Sequence, residues 1–177
     1  MYHLKTITLL TTLSVLVFSC NEKTPQVEQE ETTVQEEIVD TAKDTEAVVS
    51  VMKSYKDAIQ NLTTEGTFEL FTPDATIFEQ GKVEGTYKDY IDGHLGPELG
   101  HFKSFTFSDY EIEATVNLPY AFTTENYLYT IVLKGDEVKG TKERTIESKG
   151  VATSILEKID GEWKIIHSHT SFKKLNQ

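Results

Sequence analysis

The sequence predicts an α+β protein, a half-barrel in which N-terminal helices pack against a strongly curved antiparallel sheet. Three observations lead there. A helix-periodic stretch opens the body of the chain, four long β-type segments fill its second half, and one of those segments changes the parity of its apolar residues partway along. Long strands that bend, laid over a helix, give a half-barrel.

The first twenty residues, "MYHLKTITLLTTLSVLVFSC", stand apart from the fold. Lys5 precedes an apolar run from Ile7 to Phe18, which ends at Ser19-Cys20. So short a run suits a secretory signal rather than a membrane span. Cys20 is the only cysteine, which excludes an internal disulfide. Its place directly after the apolar run resembles a bacterial lipobox, with Val17 and Phe18 where leucine and a small residue are usual. The alternative is a cleaved, secreted protein with a free thiol. The expected division is a signal peptide over 1–19, a lipidated Cys20 with an acidic flexible tether over 20–43, and a folded domain over 44–177. In the tether region, residues 21–46 hold nine acids against Lys23 and Lys43, with too little apolar surface to offset ordering.

Within the domain, Val48, Val49, Met52, Tyr55, Ile59 and Leu62 mark one face of an amphipathic helix, which Thr41 with Asp44 could cap. "TEGTFELF" suggests a short second helix ending at Thr72-Pro73, and "ATIFEQGKVEG" a hairpin turning at Gln80-Gly81. In "GTYKDYIDGHLGPEL", Thr86 and Asp89 form a capping-box pair, Tyr87, Tyr90, Ile91 and Leu95 share a face, and Gly96-Pro97 should break the helix. Strands follow. In "HFKSFTFSDYEIEATV" the apolar positions switch from odd (Phe105, Phe107) to even (Tyr110, Ile112, Ala114, Val116), which predicts a bulge at Ser108-Asp109. "YAFTTENYLYTIVL" comes next, and Asp160-Gly161 joins the last two strands in a tight hairpin.

The charge excludes some partners. There are 17 Lys+Arg against 29 Asp+Glu, a net charge of −12. Such a surface repels phosphate backbones, so no nucleic acid is expected.

The segments "YKDAIQNLTTEGTFELFTPDATIFEQGKVEGT", "YIDGHLGPELGHFKSFTF" and "GVATSILEKIDGEWKIIHSHTS" resemble the SnoaL-like, nuclear-transport-factor-2-like superfamily. The last segment is the most telling, because members commonly end in a strand with tryptophan, aliphatics, histidine and serine. The ending of the calcium/calmodulin-dependent kinase II association domain is similar. The resemblance covers about residues 44–173. It implies a cystatin-like, cone-shaped sheet around a long first helix, with a pocket at the open mouth of the cone. It does not imply an activity, since the superfamily holds isomerases, dehydratases, cyclases, binding domains and assembly domains.

The candidate site follows from parity. On a strand, side chains two apart share a face, so Trp163, Ile165, His167, His169 and Ser171 are expected on one face, the buried one. His167 and His169 then lie roughly 6.6 Å apart, with His94 approaching from the third helix. Candidate ligand-binding residues are His94, Glu98, His167, His169, Trp163, Tyr127, Tyr129, Phe78 and Glu79, with Phe71 and Tyr90 as further lining. Three readings of the histidines stay open: structural hydrogen bonding, polar lining of a small-molecule pocket, and metal binding. The last would use His94, His167 and His169, with Glu79, Glu98 or His101 as further ligands. No metal site is assigned and no cofactor is expected.

The expected function is that of an envelope lipoprotein whose domain is a non-catalytic module for small-molecule binding or assembly. The alternative is a lyase, isomerase or hydrolase using pocket His and Glu as acid and base; no nucleophile elbow, phosphate loop or CxxC is present. The expected partners are an unknown small molecule, a second copy in a homodimer, and a membrane reached through the N-terminal lipid. The expected location is the cell envelope outside the cytoplasm, with the outer membrane favoured because Asn21 is not the aspartate that commonly retains lipoproteins at the inner membrane. A dimer interface is expected on the sheet face carrying Ala152, Ser154, Leu156, Ile166 and Thr170.

Overall fold

The computed structural model describes residues 27–175 apart from 137 and 139, with side chains from residue 41 onward. The signal segment and Cys20 lie outside the described residues. Helix α1 runs from Val27 to Gln60, so residues 27–43, expected as tether, continue the domain's first helix. It ends in a Schellman-type turn: Leu62 takes φ +57° and the Thr63 N–H donates to the Ala58 carbonyl. The expected second helix is a single 3₁₀ turn, Phe68–Leu70.

Six strands form one sheet: β1 (Phe71–Glu79), β2 (Lys82–Thr86), β3 (Phe102–Asn117), β4 (Tyr120–Leu133), β5 (Arg144–Ile159) and β6 (Glu162–Lys174), in the order β2-β1-β6-β5-β4-β3. β1 runs parallel to β6 and every other pair is antiparallel. The sheet curves around α1 without closing. Both expected hairpins form on left-handed pairs: Gln80 and Gly81 at φ +48° and +78°, Asp160 and Gly161 at φ +51° and +88°. The bulge on β3 falls as expected, with the register shifting between Ser108 and Glu111 and Asp109 at φ +49°.

Between β2 and β3 the chain stays helical throughout. α2 (Tyr87–Tyr90) carries the expected Thr86–Asp89 capping box. A π-turn follows at Ile91–Leu95, then α3 (Gly96–His101). The expected break at Gly96-Pro97 does not occur. The Gly96 N–H donates to the Ile91 carbonyl five residues back, and this wider turn takes in the proline at the start of α3. A Cβ on Gly96 would lie 2.5 Å from that carbonyl oxygen, so the turn requires glycine.

The core joins Val48 and Met52 of α1 to Leu156 and Ile165 of the sheet, with Phe71, Tyr87, Leu95 and Leu99 closing one side. Leu156 and Ile165 are fully buried, and each such side chain stabilises the fold by about 1.5–3 kcal/mol. At this end Asp44 of α1 accepts from Lys158 (2.6 Å) and from the Trp163 indole (3.0 Å) through one oxygen, Oδ1. Burial pushes the Asp44 carboxyl up, but these two bonds outweigh it and hold the group below the ordinary aspartate value. At the other end the Gln60 amide oxygen accepts the Phe107 N–H of β3 at 2.9 Å.

Candidate functional site

One strand rewrites the expected site. β6 begins as predicted, with Trp163 and Ile165 buried on the concave face. Then Leu156 of β5 pairs with Ile165 while its neighbour Ile155 pairs with His167, which leaves Ile166 unpaired as a bulge. A single extra residue inverts the alternation beyond it. Ser168, Thr170 and Phe172 therefore face the concave side, and His167 and His169 turn to the outer face beside Thr76 and Phe78 of β1. His167 Nδ1 is 2.7 Å from Thr76 Oγ1, and the Phe78 ring meets both imidazoles edge-on. This corrects the expectation that both histidines share the face of Trp163 and meet His94: the sheet lies between them and the third helix. The expected outer face is corrected as well: the hairpin register pairs Leu156 with the inward Ile165, which places Ala152, Ser154 and Leu156 on the inner side, and the inversion of β6 carries Thr170 there.

The concave face does bring Glu79, His94, Glu98, Tyr127 and Tyr129 to its open half. The π-turn aims His94 at a group of carboxylates, and such turns concentrate at functional sites. His94 Nδ1 lies 3.1 Å from Glu84 Oε1 and 3.8 Å from Glu79 Oε2, and Nε2 lies 3.4 Å from Glu98 Oε1. Tyr90 donates to Glu79 Oε2 at 2.8 Å. Burial pushes the Glu79 carboxyl up, and the Tyr90 bond and the His94 charge reduce that shift without cancelling it. Burial also pushes Glu84 up, but hydrogen bonds from Lys82 and His94 reverse the sign and leave it low.

A second carboxylate sits across the same face. Glu125 of β4 is 9 % exposed and accepts from the Tyr110 hydroxyl at 2.5 Å. Its carboxyl is raised by burial, against the Tyr110 bond and the charge of Lys56 on α1. Between the two carboxylates stand Tyr55, Tyr127 and Tyr129. Burial raises all three hydroxyls, and the charges of both Glu79 and Glu125 add to this at Tyr55 and Tyr127. Tyr127 lies flat over Gly150, its partner on β5, where an added Cβ would come within 2.3 Å of the ring.

Trp163 belongs to the sealed end with Asp44 and Lys158, and Phe71 stacks on Tyr87 at 3.6 Å inside the core. His101 is exposed at the end of α3. Among the described residues, no group of three or more His, Cys, Asp or Glu is arranged to hold a metal.

Sequence reasoning missed Glu125, Tyr110, Glu84 and Tyr55 as site residues. The signal for Glu125 is its parity. It shares the phase of Ala121, Tyr127 and Tyr129 along β4, and a charged residue in the buried phase of a strand is either paired or used.

A long first helix held in a curved, open, six-stranded sheet, with a polar and aromatic concave face, defines a domain of the nuclear-transport-factor-2-like class. Within that class the family is settled: the SnoaL-like domain model matches residues 48–173, and the chain belongs to that family. Among solved structures it is similar to a candidate ketosteroid isomerase from Shewanella frigidimarina, with 27 % identity over 69 % of this chain and 92 % of that one (TM-score 0.58). It is also similar to a nuclear-transport-factor-2-like superfamily protein from Salmonella enterica, with 17 % identity over 77 % and 94 % of the two chains (TM-score 0.61). A third is a candidate dehydratase from Streptomyces avermitilis, with 15 % identity over 74 % and 97 % (TM-score 0.60). No functionally curated protein matches the chain.

Proposed function

We propose that the open half of the concave face binds a small, largely apolar molecule whose polar end meets Glu79, Tyr90 and His94. Glu79 carries this reading. Its side chain is 17 % exposed between the His94 group and the rings of Tyr55, Tyr127 and Tyr129, and its hydrogen-bonded partner is a tyrosine. A few convergent polar groups in an apolar recess are the general form of a small-molecule site. The test is a thermal-shift panel of apolar carbonyl compounds on the purified chain. Several compounds should raise Tm, and Glu79→Gln should remove the shift. A panel without effect overturns the reading.

One observation favours a second reading, proton transfer. A carboxyl with a raised pKa within 4 Å of an imidazole suits a general base near neutral pH, and the similarity to the candidate ketosteroid isomerase supports carbonyl compounds as substrates. Incubation in D₂O should then exchange the proton α to a bound carbonyl, as read by NMR, and Glu79→Gln should abolish exchange.

The proposal extends to the setting of the domain: the cell envelope, with lipid on Cys20 and the outer membrane as the anchor. The layout around Ser19-Cys20 supports it. Cys20→Ser should move the protein from the membrane to the soluble fraction. Homodimerisation through the outer sheet face is part of the same proposal, supported by Phe122 and Val151, which are 47 % and 49 % exposed there. A monomeric mass by light scattering at micromolar concentration would sink it.

A further inference from the structure

The β3 bulge opens a second recess, distinct from the Glu79 group. It is an open groove of about 700 Å³ between Lys53 of α1 and the bulged margin of β3 and β4, and its lining includes Tyr110, Ile112, Glu113 and Glu125. This volume lies within the range of small-molecule sites. At its inner end stands the Glu125 carboxylate. Oε2 accepts the Tyr110 hydroxyl, while Oε1 receives no hydrogen bond from any described residue. Glu125 as a whole is nine-tenths buried, yet this oxygen stays open to the groove, where a bound molecule can donate to it.

The surroundings define the donor. The rings of Tyr110 and Tyr127 stack at 6.2 Å beside the carboxylate, and Phe107 meets Tyr127 edge-on at 5.1 Å. Lys56 Nζ lies over Tyr110 at 5.0 Å and over Phe107 at 5.7 Å, so these ring faces already accept a cation from within the chain. Lys56 forms its ion pair with Asp57, at 2.9 Å, and not with Glu125. The groove's remaining carboxylates, Glu111 and Glu113, outnumber Lys53 at its mouth. An anion is repelled here, and a neutral donor adds no charge to the partial compensation that Lys56 gives Glu125. An ammonium group supplies both a donor for that open oxygen and the opposite charge.

We propose that this groove binds an organic ammonium ion of the arylalkylamine class, its ammonium on Glu125 Oε1 and its ring against Tyr110 and Ile112. The site does not depend on the Glu79 reading. Calorimetry on the purified chain tests it with three probes of one shape: phenethylammonium, 2-phenylethanol and 3-phenylpropionate. Phenethylammonium is expected to bind at least tenfold more tightly than the alcohol, with no binding of the carboxylate. Glu125→Gln should weaken the ammonium at least tenfold while Glu79→Gln leaves it unchanged. Equal affinity for the ammonium and the alcohol overturns the proposal, as does loss of binding in Glu79→Gln but not in Glu125→Gln. Should Glu125→Gln fail to fold, the probe series on the unsubstituted chain still decides: charge-independent binding, or none, refutes the site.

Discussion

The two ends of the cone are built from the same strands and solve the same problem differently. At the sealed end, one buried carboxylate, Asp44, takes a lysine and an indole on a single oxygen and settles below its ordinary pKa. At the open end, two carboxylates, Glu79 and Glu125, each take one tyrosine hydroxyl and settle above theirs. The sealed end uses its charge to pin α1 to the β5–β6 hairpin. The open end leaves both of its carboxyls raised, and perturbed carboxyls cluster at functional sites.

The largest test of this contrast is Asp44→Ala. Removing the acceptor takes one ion pair from Lys158 and leaves the buried Trp163 N–H without its acceptor, and should cost on the order of 2–4 kcal/mol, a Tm loss of roughly 5–15 °C by calorimetry. The contribution of Asp44 is present above the ordinary aspartate range and is lost as pH falls through its lowered native value. The wild-type advantage should therefore shrink in acid. A loss below about 1 kcal/mol would erase the distinction between the ends.

Gly150→Ala comes next. Its Cβ would meet the Tyr127 ring at 2.3 Å, and overpacking of this kind costs about 1–3 kcal/mol. The double variant with Tyr127→Leu should recover most of the loss, which would show that the glycine exists to seat that ring.

Glu125→Gln should have the opposite sign. A carboxyl raised on folding contributes stability that is complete below the ordinary glutamate value and is lost as pH rises through the native value. The variant should therefore show a higher Tm than wild type at pH 8, and the gain should vanish near pH 4. A variant less stable at pH 8 than at pH 4, relative to wild type, would make the open end as structural as the sealed one.

The smallest effect is expected on the convex side. His167→Ala removes a bond to the exposed Thr76 hydroxyl and should change stability by no more than about 0.5 kcal/mol, with no effect on ligands of the concave face.

Much of the fold was legible because its signals are local. Thr86 with Asp89, Asp160-Gly161, Gln80-Gly81 and the parity switch before Tyr110 each fix their element within a few residues. The parallel pairing of β1 with β6 was not legible, since it joins segments about ninety residues apart with no short signature between them. The site was legible in halves. Glu79, His94 and Glu98 fall together because the helical stretch after β2 carries His94 back over β1. The two histidines of "HSH" were misplaced because nothing in "WKIIHSHTS" announces the bulge: Ile165 and Ile166 are chemically equivalent, and only pairing with β5 decides which one the ladder omits.

That omission turns one residue into a frame marker. Upstream of Ile166 the odd positions of the strand are inside; downstream the even ones are. Were Ile166 drawn into the ladder, with no residue omitted, the two downstream sets would trade places, carrying His167 and His169 into the cone and Ser168, Thr170 and Phe172 out to the solvent, whereas deletion of Ile166 would leave both sets on their present faces. What this strand presents to the interior thus depends on one residue being left out of the pairing, and the outer sheet face holds the side chains that a bulge-free strand would turn inward.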